Sequence, residues 1–385
     1  MRPTTLGEGG DVKEFYRLLL QSCGATHMWN PPSHQRVSAI LSQDLQEFEI
    51  RAARAMEKAN PEWTIMHTDG WSDQWQRSWC GLIVRFLDES WTIRELCLGF
   101  EHAGVWASAD AGSQHAAGPM ATAVRAQLRH LRVQEPRWSH SDSSGAAVKV
   151  GKILDMHPIR CVVHILAIAS QRTLWSHDRN PPAVVSMMAK CRGFALFLYK
   201  QEDLMIEFRK LGGGQVFPPK PDSHAKWSSS IAMVRRCIAA NDSVWPLMYT
   251  KHGSKGRCPS ALTVPELQLA KSTERGMDVV WYAVCNLQRD DALLAEYAPQ
   301  TSALRAELRG HDSEFARTYV SELGGAEMRN LGPAPSIAFA SGLDMCHLAT
   351  LLHPRYRNGR HFDQERRDTL SELLGRFAIK GFVRT

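Results

Sequence analysis

Apolar and polar positions follow two different periods along this chain, and the change of period divides it. Val12, Phe15, Tyr16 and Leu19 recur at helical spacing, and Trp29 to Ser33, with two prolines, ends that segment. A second helical stripe runs through Val37, Ile40, Leu41, Leu45, Phe48 and Ile50 and closes at Asn60-Pro61. From residue 63 the apolar runs become short and β-branched. Trp63 to Thr68 predicts a strand ending in an Asp69-Gly70 turn. Cys80 to Leu87 and Trp91 to Phe100 predict two more, joined by polar turns into an antiparallel meander. Met120, Val124, Leu128 and Leu131 mark a helix, Trp138 to Ser141 a short strand, and Ser143 to Leu154 another helix. Ile159 to Cys161 reads as a brief fifth strand before a helix over Val162 to Leu174. Beyond residue 183 the periodic segments are helical, with Gly212-Gly213-Gly214 and Gly324-Gly325 as loops and Pro218 to Pro221 as a stiff connector. Strands first and helices afterward predict an α+β core followed by an all-α region.

Composition narrows the class. The 385 residues are 44% hydrophobic and 22% charged, as in folded proteins, and about 150 residues per unit suggests two or three units. The longest apolar stretch, Cys161 to Ala169, is broken by His164 and is far short of the roughly 20 residues of a membrane span. Met1 to Gly10 is polar and lacks a secretory pattern, so no membrane partner is expected. Nine cysteines lie scattered without a Cys-x-x-Cys pair, which predicts reduced thiols and no zinc. Cys161, His164 and His157 have no second pair with which to close a tetrahedral site. The net charge of +6 permits a polyanionic partner. Two basic surfaces stand out: the Arg125, Arg129, Arg132 stripe and the tail from His353 to Thr385, with eight Lys/Arg against four Asp/Glu. Each reads either as a phosphate-contacting face or as a solvated one.

Asp69 ends the first expected strand and Asp142 the fourth. On adjacent strands their carboxylates would converge, offering oxygen ligands to Mg²⁺ or Mn²⁺. With a third acid, two such ions could assist phosphodiester cleavage. The competing reading is that each aspartate begins a turn or caps a helix. Trp227 is likewise open between base stacking and helix packing. Trp71, Trp75 and Trp79 straddle a loop and a strand start and read as packing residues.

Several strings, in order, resemble those of hAT-superfamily DNA transposases. Thr68-Asp69-Gly70-Trp71-Ser72, followed by Trp79 to Asp88, resembles the first acidic block, and Ser141 to Ala146 the second. Arg160 to Leu166 resembles the Cys-x-x-His segment. Lys226 to Ser230, with Met233 to Arg236, resembles the Arg-Trp-x-Ser block. Leu351 to Arg357 resembles the late Leu-Asp-Pro-Arg-Tyr-Lys block, and Pro32-Ser33 the pair before the core. The departures are Ser143 for asparagine, Lys226 for arginine and His353 for aspartate. Neither Glu365 nor Glu372 stands in a setting like that of the family's third acid, a downstream glutamate.

The resemblance implies a ribonuclease H-like α+β core, a mixed five-stranded sheet with helices, interrupted by a large all-α insertion domain. The expected boundaries are a helical lead-in at 1–59, the core at 60–175, the insertion at 176–360 and a basic tail at 361–385. The implied ancestral chemistry is Mg²⁺-dependent DNA cleavage and strand transfer, with Asp69 and Asp142 as catalytic metal ligands. Lys226, Trp227 and His164 would contact DNA, joined by Arg125, Arg129 and Arg132. Without the third acid and the dimerisation region the expectation is weak, salt-sensitive DNA binding in the nucleus, without transposition by the isolated chain. Two alternatives remain open. One is a non-catalytic adaptor that binds a protein partner or a full-length relative through the helical half, in the cytosol if it has no DNA role. The other is a transposon remnant without selected function.

Overall fold

The computed structural model describes residues 34–372, apart from short stretches at 58, 60–63, 73–77, 91, 103–116, 143–144, 176–181, 224–226, 256–257, 290–293, 332–345, 348, 351, 353–354 and 357–361. The expected first helix, Pro32-Ser33, Trp75, Ser143, Lys226, His353 and most of the basic tail lie outside the described residues. The chain divides into two compact units, Met1–Pro158 and Ile159–Thr385.

The first unit is an α+β assembly. Helix α1 (His34–Glu57) precedes β1 (Thr64–Ser72), β2 (Ser78–Leu87) and β3 (Ile93–His102). Then follow α2 (Ala117–His130), β4 (Trp138–Ser141), α3 (Gly145–Ile153) and β5 (His157–Arg160), whose last two residues fall past the division. The five strands form one mixed sheet in the order β3-β2-β1-β4-β5. β2 pairs antiparallel with both β1 and β3, so the expected meander forms, whereas β1 and β4 run parallel. Period-two alternation puts Met66 on β1 with Leu82, Val84 and Phe86 on β2 on one face. That face packs with Met56 of α1, Ala121, Val124 and Leu128 of α2, and Val150 of α3. Gly151 permits the close approach of α3 to β4, since a Cβ there would sit 2.4 Å from the Ser139 hydroxyl oxygen. Much of the apolar stripe on α1 stays exposed at Ile40, Leu45 and Ile50, and burial begins at Ala52 and Met56.

Asp69-Gly70 does not turn the chain. β1 continues through it to Ser72 because Asp69 is paired with Gly81, and Gly70 with Cys80, on β2. Strand pairing overrides the local turn preference of Asp-Gly.

The second unit is helical: α4 (Val162–Leu174), α5 (Ala183–Tyr199), α6 (Glu202–Leu211), α7 (Ser228–Asn241), α8 (Val244–His252), α9 (Val264–Leu287), α10 (Tyr297–Gly310) and α11 (Glu314–Leu331). The division falls at Pro158/Ile159, ahead of residue 175, because α4 packs on α11, with the Tyr319 hydroxyl donating to the Leu166 carbonyl at 3.3 Å. Phe194 and Trp245 stack at 4.1 Å between centroids within a core that also holds Met233, Met277, Phe315 and Tyr319. α9 starts at a reciprocal capping box between Thr263 and Glu266. Gly324-Gly325 forms no loop; both lie inside α11, whose burial of Tyr319, Leu323 and Ala326 outweighs the ~1 kcal/mol helix penalty of each glycine. Among the described residues no helix is long and apolar enough to cross a membrane.

Candidate functional site at the ends of two parallel strands

The parallel register of β1 and β4 runs from Ile65 opposite Trp138 to Thr68 opposite Ser141. The next residue on each chain is an aspartate. Asp69 is still within β1 and exposed, and Asp142 is the first residue past β4 and half-buried. Both act on a third side chain, Cys80 of β2. Burial pushes that thiol up to about 11, and the negative charges of Asp69 and then Asp142 push in the same direction. Each carboxylate is near enough to that thiol to oppose its ionisation.

Two residues inward from the aspartates is a pair that the motifs did not flag. His67 and His140 face each other across β1 and β4, with their Nδ1 atoms 3.0 Å apart and ring centroids 4.8 Å apart. Such a contact needs one ring protonated at Nδ1 and the other bare there. His67 Nε2 is buried and has no hydrogen-bond partner among the described residues. A bare lone pair is cheaper to bury than an N–H, so the favoured tautomer has His67 donating from Nδ1 to His140. Both rings are held neutral. Burial, the facing His140 and the Arg85 guanidinium bring His67 down to about 3, and burial and Arg85 bring His140 down to about 4. Arg85 itself donates to Glu95 across β2 and β3. A sequence signal for the pair exists: His67-Thr68-Asp69 and His140-Ser141-Asp142 are the same His-hydroxyl-Asp string on neighbouring strands.

The donor set suits a hard cation only in an open form. Among the described residues no group of three or more His, Cys, Asp or Glu gathers closely enough to cage a metal ion. Two carboxylates with solvent access fit Mg²⁺, which keeps several waters and takes phosphate oxygens. The histidine Nδ1 atoms are engaged with each other.

The remaining expected residues fall elsewhere. Arg125 on α2 donates to Glu135 at 2.8 Å and to the Ile153 carbonyl, while Arg129 and Arg132 are exposed at the end of that helix. In the second unit His164 is exposed on the first turn of α4. Trp227 is only 6% exposed and packs edge-on against Trp281, centroids 5.9 Å apart, so its role here is helix packing. Ser230, in the same string, donates to the buried Asp222. No known protein family's sequence profile matches this chain, and neither does any curated protein.

Proposed function

We propose that this chain is a transposon-derived nucleic-acid-binding protein of the hAT-transposase kind. In this reading the sheet is a ribonuclease H-like core followed by a helical insertion, and Asp69 and Asp142 hold Mg²⁺ or Mn²⁺. The observation that carries the reading is the parallel register of β1 and β4, which sets Asp69 and Asp142 one residue past the paired Thr68 and Ser141. The 3-2-1-4-5 strand order with an antiparallel β2 supports it as well. When bound, the metal supplies charge neutralisation at a phosphodiester.

The protein's own groups do the rest. Exposed Asp69 leaves room for a phosphate, and the neutral His67–His140 contact ties β1 to β4 just below the acids. Cys80 stays a thiol at neutral pH, so no competing soft ligand forms. Arg129 and Arg132 offer sequence-blind phosphate contacts, which suit a nuclear protein. In this reading the isolated chain binds DNA without cutting it.

The test is a Mn²⁺ titration followed by electron paramagnetic resonance, paired with duplex-DNA binding at about 50 and 200 mM salt. The expected results are Mn²⁺ uptake that disappears in Asp69→Asn/Asp142→Asn, and DNA affinity that falls steeply with salt. Replacing Arg129 and Arg132 by alanine should lower the salt slope by about two. Equal Mn²⁺ uptake by the double variant overturns the metal site. Indifference to DNA at low salt favours the adaptor reading, for which the exposed Leu196, Tyr199, Ile206, Leu211, Leu247 and Tyr249 on α5, α6 and α8 speak.

A further inference from the structure

The connector between α6 and α7 presents one aromatic ring to solvent from a braced loop. At its start, Gly212 N–H donates to the Phe208 carbonyl and Gln215 N–H to the Gly212 carbonyl. Gly213 and Gly214 take positive φ values of 57° and 77°, which side-chain-bearing residues rarely adopt. Val216 then packs on the helical core, Pro219 is buried, and Arg236 of α7 donates to the Pro218 carbonyl at 3.1 Å. The far end is pinned by Asp222, whose carboxylate takes Arg192 Nε at 2.9 Å and the Ser230 hydroxyl at 2.6 Å. Between these anchors Phe217 is 66% exposed. Two prolines and both anchors fix the backbone that carries it, so little order remains to be imposed on binding.

The segment that carries the ring has one sign of charge. From Arg209 to Pro221 the chain carries Arg209, Lys210 and Lys220 and no acid, and all three cations are exposed. None of the three is in an ion pair among the described residues. A rigid π-face on a segment whose exposed cations are in no ion pair among the described residues matches a ligand with flat bases and a phosphate backbone. An intact duplex hides its base faces, and a lipid surface asks for a broader apolar face than this ring provides.

We infer that the 209–221 loop is a single-stranded nucleic-acid contact in which Phe217 stacks on an unpaired base while Arg209, Lys210 and Lys220 hold the flanking phosphates. This deepens the proposed function and rests on its nucleic-acid half, not on the metal site. The test is fluorescence anisotropy of the full chain with a labelled oligothymidylate in excess EDTA, which removes any contribution from cations at Asp69 and Asp142.

Phe217→Ala should weaken binding about tenfold, Phe217→Trp should retain it, and Lys220→Glu should weaken it with a shallower salt dependence. An abasic oligonucleotide of the same length should bind wild type and Phe217→Ala equally. Unchanged affinity of Phe217→Ala for the oligothymidylate overturns the inference. So does an equal loss on the abasic strand, or Phe217-dependent binding to anionic vesicles without oligonucleotide binding. Failure here leaves the Mn²⁺ titration untouched, and failure there leaves this loop untouched.

Discussion

The sheet unit and the helical unit hold their acidic groups in opposite ways. In the helical unit the buried carboxylates are closed off by donors, even though Arg192 Nη2 and Thr273 Oγ1 have no hydrogen-bond partner among the described residues. Arg192 clamps Asp222, lies 3.3 Å over the Trp175 ring and donates to the Leu174 carbonyl, while Ser230 completes the carboxylate. Tyr297 and Arg305 both engage Glu327. In the sheet unit the acids at the ends of β1 and β4 stay open: Asp69 faces solvent and Asp142 is half-buried. Closed clusters fix a structure, and open ones are available to a ligand. Stability should therefore respond most to the helical clusters, and ligand binding to the sheet.

The largest expected effect breaks a closed cluster. The Asp222 side chain is 1% exposed, so Asp222→Ala strands a largely buried guanidinium and should cost about 3–5 kcal/mol, read as a lower urea midpoint. A change within experimental error would mean that water reaches the cluster, and the contrast between the units would fail.

How much of this was legible beforehand differs between the two units in the same way. The described helices and strands were visible because hydrophobic period and proline breaks act locally: Pro218 to Pro221 punctuates the chain whatever the tertiary contacts are. Strand ends were misread where pairing decides them. Asp69-Gly70 is a turn string in isolation and a strand interior once Gly81 and Cys80 lie opposite. Gly324-Gly325 was misread for the matching reason, since burial of Tyr319 and Leu323 holds α11 together. The acids could be nominated from strand order, but the histidine pair required the β1–β4 register. Trp227 and the Arg192–Asp222 clamp depend on which helices meet, and no local pattern encodes that.

A smaller effect belongs to the histidines, and its sign follows from their depressed titration. The folded state keeps both rings neutral down to about pH 4, whereas an unfolded histidine takes up a proton near 6.5. Between those limits the unfolded chain binds more protons, so stability falls as pH drops from about 6.5 toward 4. At pH 5 the penalty should reach at most about 2 kcal/mol per ring, less where solvent screens it. Urea midpoints at pH 7 and 5 should diverge for wild type and draw together for His67→Gln/His140→Gln. A divergence of the same size in the double variant would place the pH sensitivity elsewhere.

The smallest expected change in stability separates the two kinds of polar group most cleanly. The Asp69 side chain is exposed and Asp69→Asn leaves its backbone pairing with Gly81 in place, so the substitution should shift stability by no more than about 0.5 kcal/mol, read from the urea midpoint. The same substitution removes one of the two charges that oppose ionisation of Cys80, so that thiol should titrate below its present value of about 11. Thiolate absorbance near 240 nm, followed against pH, reads the shift, and Asp142→Asn should move it in the same direction by a smaller amount. The exposed Cys97 and Cys285 must first be replaced by serine so that their titration does not mask the signal. If neither aspartate variant moves Cys80, the two carboxylates do not meet at the strand ends. The sheet unit would then have no open acidic site to set against the sealed clusters of the helical one.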